Sequence, residues 1–212
     1  MRLARSFCCM AGLTARELGP KWHRCWPFKA GGSLFLHCVG FRQTDAGAAM
    51  TRHLLQTGRR RIAFAAAQLD PRVMQRLFGW RSALQEAGVY EATLECLNPA
   101  PSSLALGGHL FEQIMQQRPA VDAIFFCNDD LAQGALMAAM RLGISVPEQV
   151  AIAGFNDLTG SDQMLPTLTT VRTPRAQIGR ASAHMLLSLM RGEEPEEAQL
   201  DLGFEIIQRQ ST

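Results

Sequence analysis

Residues 121–143 read VDAIFFCNDDLAQGALMAAMRLG, and the order of residue types along them decides the fold. The apolar run from Val121 to Cys127 is short enough, and apolar enough, for a buried strand. Asn128, Asp129 and Asp130 then offer side-chain acceptors where a helix must begin. Leu131, Ala135, Ala138, Ala139 and Leu142 recur at helical spacing, and Gly143 ends the pattern. A strand passing through a tight polar turn into a helix is the repeating unit of a parallel, helix-covered sheet.

The same alternation extends in both directions. Upstream, residues 45–57 place Met50, Leu54 and Leu55 on one helical face ahead of Gly58. Ile62–Ala67 is a second apolar strand. Pro71 opens a helix to about residue 87, with Leu77, Trp80, Ala83 and Leu84 at core spacing. A weaker strand at residues 93–97 enters a Pro/Ser loop, and Leu104–Gln117 forms a helix with Leu106, Leu110, Ile114 and Met115 as its stripe. Downstream, residues 149–155 and 169–171 read as strands, residues 174–191 as a helix and residues 202–208 as a final strand. The expected class is α/β, a parallel sheet flanked by helices.

In open parallel sheets ligands bind beyond the carboxyl ends of the strands. Asn128, Asp129 and Asp130 follow one strand there, and Asn156 and Asp157 follow another. Amides and carboxylates suit vicinal hydroxyls, because each can bond twice to one polyol. The plainer reading stays open: Asn128 or Asp129 caps a helix, and Asn156–Asp157 shapes a turn. Arg76, in the helix after the first strand, is either a solvated surface arginine or a planar fork suited to an acidic sugar.

Composition excludes several classes. The 212 residues are 47% hydrophobic with a net charge of +2, so a core is available and no strong field draws the chain to nucleic acid. Residues 1–40 are atypical: Arg2, Arg5, Arg16, Lys21, Arg24 and Lys29 face only Glu17, and both lysines of the chain lie there. Arg16 and Glu17 interrupt a mildly apolar start, so it makes a poor secretory signal, and no later segment approaches a membrane span. Six cysteines without framework spacing read as reduced cytosolic thiols. His23, Cys25, His37 and Cys38 fit no common zinc pattern, so no metal and no cofactor is expected. His53, His109 and His184 lie on helices without a nucleophile at recognisable spacing. With no GxSxG, P-loop, GxGxxG or HExxH, an enzyme is not expected.

An ordered set of motifs resembles one family. FFCNDDLAQGA at 125–135 is similar to the "ND-x-x-A-x-G" signature of LacI/GalR-type transcriptional repressors. GISVPE at 143–148, IAGFND at 152–157 and LPTLTTV at 165–171 resemble that family's "G-x-x-V-P-x-D", "G-F-D-D/N" and "P-x-L-T-T-V" segments. Upstream, His53–Ala63 and Arg76–Leu84 resemble its "HL-x-x-x-GHR-x-IA" and "R-x-x-G-[YW]-x-x-AL". The set covers about residues 40–212, and its wording near residues 153–175 is similar to gluconate-operon repressors.

The resemblance implies a class I periplasmic-binding-protein-like pair of α/β lobes around a sugar cleft. Residues 44–171 and 200–212 would form a largely complete C-terminal lobe, and residues 172–199 a remnant of an N-terminal lobe that is mostly missing. Residues 1–39 match nothing in the family and imply an alternative start or a frame-shifted reading. Carried over by motif, Arg76 and Asn128 would contact the effector, with Asp130 beside them. Asn156 stands where the family has an aspartate, and Ser103 and Arg175 would line the cleft. The implied ligand is gluconate or a related sugar acid. The implied protein is a cytoplasmic homodimer that meets DNA only through a headpiece absent from this chain and meets no membrane. A periplasmic sugar receptor of a transport system is the alternative on the same fold.

Overall fold

The computed structural model describes residues 37–212, so the basic leader and the His23/Cys25 pair lie outside the described residues. Two compact units divide the chain. The smaller contains residues 37–42 and Pro174–Gly203, the larger Gln43–Thr173 and Phe204–Thr212.

In the smaller unit, β1 (Cys38–Gly40) pairs in parallel with β7 (Gln199–Asp201), and α5 (Arg175–Met190) packs on β1.

The larger unit is a six-stranded sheet in the order β3-β2-β4-β5-β6-β8. Its strands are β2 (Ile62–Ala67), β3 (Glu95–Asn98), β4 (Ala123–Phe126), β5 (Ala151–Asn156), β6 (Thr169–Arg172) and β8 (Glu205–Ile207). All are parallel except β8, which runs antiparallel along β6 at the edge. The helices are α1 (Gln43–Gln56), α2 (Pro71–Glu86), α3 (Leu104–Gln117) and α4 (Asp129–Leu142). From β2 the chain steps outward to β3, then reverses and crosses to β4, β5 and β6. Right-handed crossovers therefore place α2 on one face and α3 and α4 on the other. α1 packs with α2, and α3 with α4.

Three departures from the sequence reading have local causes. Residues 202–208 are not one strand: only Glu205–Ile207 is extended, as β8, after a turn at Gly203 (φ 67°), while β7 lies ahead of that run at Gln199–Asp201 and joins the other sheet. The weak strand at 93–97 begins as a 3-10 turn, Ala92–Leu94, before β3. Leu142, assigned to the core stripe, is 51% exposed at the last residue of α4.

The core is apolar and aromatic. Every residue of β2 and β4 is buried, as a strand covered by helices on both faces requires. Aromatic rings run in file from Tyr90 to Trp80, Phe64, Phe125 and Phe155, with neighbouring centroids between 5.3 and 6.5 Å apart. The helix pairs close through glycines. A Cβ on Gly79 would lie 2.0 Å from the Thr44 carbonyl oxygen, and one on Gly47 would lie 2.4 Å from that of Arg76. Only hydrogen fits at either crossing, so the backbones of α1 and α2 touch directly.

Candidate functional site

The reversal of strand order lies between β2 and β4, and the crevice outside their carboxyl ends is where such sheets admit ligands. The four non-glycine residues with positive φ among the described residues all lie on this rim. Gln68 (62°) and Leu69 (45°) follow β2, while Asn156 (111°) and Asp157 (51°) end β5 and follow it. Left-handed backbone at non-glycine residues costs energy and concentrates where geometry serves a site.

Arg76 is the centre of the rim, and it is not a solvated surface arginine. It is 7% exposed, and its guanidinium carbon lies 3.7 Å from the centroid of the Phe155 ring, the end of the aromatic file. Its Nε donates to Gln43 Oε1 at 2.7 Å and its Nη1 to the Cys127 carbonyl at 2.6 Å. Nη2 has no protein acceptor among the described residues. Burial pushes its pKa down to about 10, partly offset by the neighbouring Cys127, Asp70 and Asp129 groups, so it remains a cation at neutral pH. The α1–α2 glycine crossing fixes the spacing between Gln43 and Arg76. A held cation with one open N–H edge is a ready partner for an anionic or hydroxylated molecule.

Asn128 performs the plainer role and retains capacity. It caps α4, its Oδ1 accepting from Leu131 N at 3.1 Å, and it exchanges bonds with Ser102 Oγ at 2.8 and 3.0 Å. Oδ1 is thereby saturated, but one N–H of the amide remains to offer. Asp130 is exposed beside it. Asn156 is half-buried, and its amide has no hydrogen-bond partner among the described residues. Ser103 is exposed and caps α3 through Leu106 N at 3.1 Å, while its neighbour Ser102 is the residue that meets Asn128. Arg175 opens α5 in the smaller unit. Arg76, Asn128, Asp130, Asn156 and Ser103 thus all stand at the carboxyl edge of the larger unit's sheet.

Sequence reasoning missed two contributors, and it read a third residue, Asp129, as a hydroxyl ligand or a helix cap when its carboxylate is neither free for a ligand nor the cap of α4. Gln43 and Ser102 hold Arg76 and Asn128, and neither carries a motif that marks it. Asp129 is fully buried and acts as a tie: Oδ2 accepts from Leu158 N at 2.6 Å and Ser161 Oγ at 3.1 Å, Oδ1 from Thr170 Oγ1 at 2.6 Å. Burial raises its pKa against the pull of these three donors. Gly154 makes room for it, since a Cβ there would sit 2.2 Å from Oδ1.

Asp157 anchors the other side of the turn, accepting from Arg172 Nε at 2.7 Å and Arg209 Nη2 at 2.8 Å. Burial pushes its pKa up, but the hydrogen bonds and charges of the two arginines outweigh this and hold it below the usual aspartate range. The sign follows: the folded form binds the proton more weakly than the unfolded chain. The contribution to stability is therefore complete above about pH 4 and is lost as pH falls through the depressed value. Asp157→Asn is expected to flatten the acid limb of a Tm-against-pH curve; an unchanged limb would show that the arginine pair contributes nothing.

A separate cavity of about 390 Å³, lined by Arg61, Thr93, Leu94, Gln117 and Arg118 among others, lies at the amino ends of the strands, opposite the rim. Its arginines are already engaged, Arg61 by Glu91 at 3.1 Å and Arg118 by the Thr93 carbonyl at 2.8 Å. The crevice at the strand-order reversal, with its open Arg76 edge, is the better candidate.

Residues 51–212 match the model of the periplasmic binding protein-like domain. The HTH-type transcriptional regulator GntR of Pseudomonas aeruginosa is 56% identical over 177 residues, covering 84% of this chain and 52% of that protein. The chain thus spans about half the length of the curated relatives it matches. The crystal structure of transcription regulator GntR from Chromobacterium violaceum superposes with a TM-score of 0.83 at 53% identity, covering 85% of this chain and 66% of that one. A transcriptional regulator CelR–cellobiose complex superposes with a TM-score of 0.76 at 32% identity, covering 82% and 54%. These relatives are transcription regulators, which favours the regulator reading over a transport receptor or an enzyme. With the motif order, the sheet topology and these matches in agreement, the chain belongs to the periplasmic-binding-protein-like domain family, in the form found in LacI-type transcription regulators.

Proposed function

We propose that the larger unit is one wall of the effector cleft of a gluconate-responsive transcriptional repressor. The buried Arg76 with its open Nη2 edge carries this reading. A carboxylate or hydroxyl can complete its hydrogen bonding, and Asn128 and Asn156 lie along the same rim to take the remaining hydroxyls of a sugar acid. In this reading Gln43–Thr173 and Phe204–Thr212 belong to one lobe and Pro174–Gly203 to the other, so residues 200–203 go with the smaller unit and not, as expected from the sequence, with the larger; Arg175 and Ser103 line the cleft. That a relative is named as a cellobiose complex supports a carbohydrate ligand. In the full regulator, ligand shifts the balance between two lobe arrangements and so the affinity for DNA. DNA contact is assigned to a part of the protein outside residues 40–212. We assign a homodimer, with residues 161–168 in its interface, acting in the cytoplasm. No described helix is long and apolar enough to cross a membrane.

Ligands of this kind are normally enclosed on both sides, so the larger unit by itself is expected to bind weakly. Amide chemical shifts of the labelled chain, followed as gluconate is raised to high millimolar concentration, are suited to weak binding. The expected result is movement confined to the rim residues, weakened at least about tenfold by Arg76→Ala, the loss of one charge-assisted bond. Asn128→Ala should weaken it less and also cost about 1 kcal/mol of helix cap. No shift with wild type, or affinity unchanged in Arg76→Ala, overturns the assignment.

A further inference from the structure

We propose that Arg72 selects the acid end of the ligand, forming with Arg76 a two-guanidinium clamp for a carboxylate; this rests on the effector-site reading above. Arg72 lies one turn before Arg76 on α2, and residues four apart share a helix face with Cβ atoms about 6 Å apart. The two differ in how they are held. Arg76 is buried and fixed by Gln43, the Cys127 carbonyl and the Phe155 ring. Arg72 is exposed, with a side chain 56% accessible, and rests on Asp70 Oδ2 at 3.0 Å.

That resting place is easily left. Asp70 caps α2 through its other oxygen, Oδ1, which accepts from Arg72 N at 2.8 Å and Val73 N at 3.1 Å. The cap survives when the Arg72 guanidinium moves away, and an exposed ion pair of this kind contributes only about 0–1 kcal/mol. The two guanidinium groups are near enough to feel each other. Beyond the effect of burial, Asp70 and Asp129 favour the Arg76 charge and Arg72 opposes it. A carboxylate placed against the open Nη2 edge of Arg76 relieves that opposition and offers Arg72 a second acceptor. Asp129 cannot compete, because its oxygens are taken by Leu158, Ser161 and Thr170. Asp130, the exposed acid of the rim, disfavours anions bound farther along and so helps orient the ligand with its hydroxyl tail toward Asn128 and Asn156.

The test compares gluconate with glucitol, its uncharged polyol counterpart, by amide shifts of the full chain. Wild type is expected to favour gluconate by about tenfold or more, the worth of a charge-assisted bond. In Arg72→Gln, which keeps the backbone N–H that Asp70 caps, that preference should fall below about threefold while glucitol affinity stays the same. A variant that keeps the full preference overturns the clamp and leaves the functional reading standing. No rim shift in wild type with either ligand overturns both. A second measurement needs no variant: gluconate affinity should fall as salt is raised and glucitol affinity should not, and equal salt dependence overturns the clamp.

Discussion

Gly79→Ala is expected to lower the melting temperature by about 10 °C, a loss of about 3 kcal/mol for a chain of this size. The added methyl would lie 2.0 Å from the Thr44 carbonyl oxygen and 2.7 Å from Ala48 N. Both are backbone atoms inside α1, so no side-chain rotation relieves the contact and the helices must part. The comparator is Gly179→Ala in α5, where a Cβ would meet nothing within 4 Å. There, better helix propensity should raise stability by up to about 1 kcal/mol. Thermal unfolding of both variants checks the contrast; a Gly79→Ala protein as stable as wild type would mean the helices are not in contact as described. Parting α1 from α2 also moves Gln43 from Arg76, so rim binding should weaken along with stability.

Asp129→Ala is expected to cost about 3 kcal/mol or more. The change leaves the Leu158 N–H and the Ser161 and Thr170 hydroxyls without their acceptor in a site closed to water, and each buried orphan costs about 1–3 kcal/mol before relaxation. Asp129→Asn should be far milder. Its oxygen can replace Oδ2 for Leu158 and Ser161, its amide can face Thr170, and that hydroxyl can turn to accept. Denaturant unfolding of the pair reads the difference, and equal losses would sink the tie as the source of stability. The alanine variant should also loosen the turn at Asn156 and Asp157, because Leu158 is the next residue along.

The fold was legible because its periods are unambiguous. Ile62–Ala67 and Leu104–Gln117 stand at the boundaries read from apolar pattern alone, and Gly143 closes α4 in the left-handed conformation expected of it. The break at Gly203 was not legible: Gln199–Asp201 carries a single apolar residue, and which sheet either short strand joins depends on partners far away in sequence. The site divides in the same way. The strand ends and motif spacing drew attention to Arg76, Asn128 and Asn156. What holds them was invisible, because Gln43 reaches Arg76 across 33 positions and Ser102 reaches Asn128 across 26. Nor could pattern separate Asp129 from Asp130. Adjacent positions on a helix start diverge by about 100°, which sends one carboxylate into the core and the other to solvent, but which goes where is decided by Thr170, Ser161 and Leu158.

Direct main-chain contact between α1 and α2 bears on how such a protein changes its preferences over time. Where two helices are spaced by interlocking side chains, each surface substitution near the seam perturbs the spacing. Here the gauge is set by peptide groups against hydrogen atoms, so exposed positions such as Arg72 and Asp130 are free to vary without shifting the platform beneath them. A lineage with this architecture can exchange one small-molecule signal for another by a few outward-facing replacements, while the seam beneath tolerates almost none.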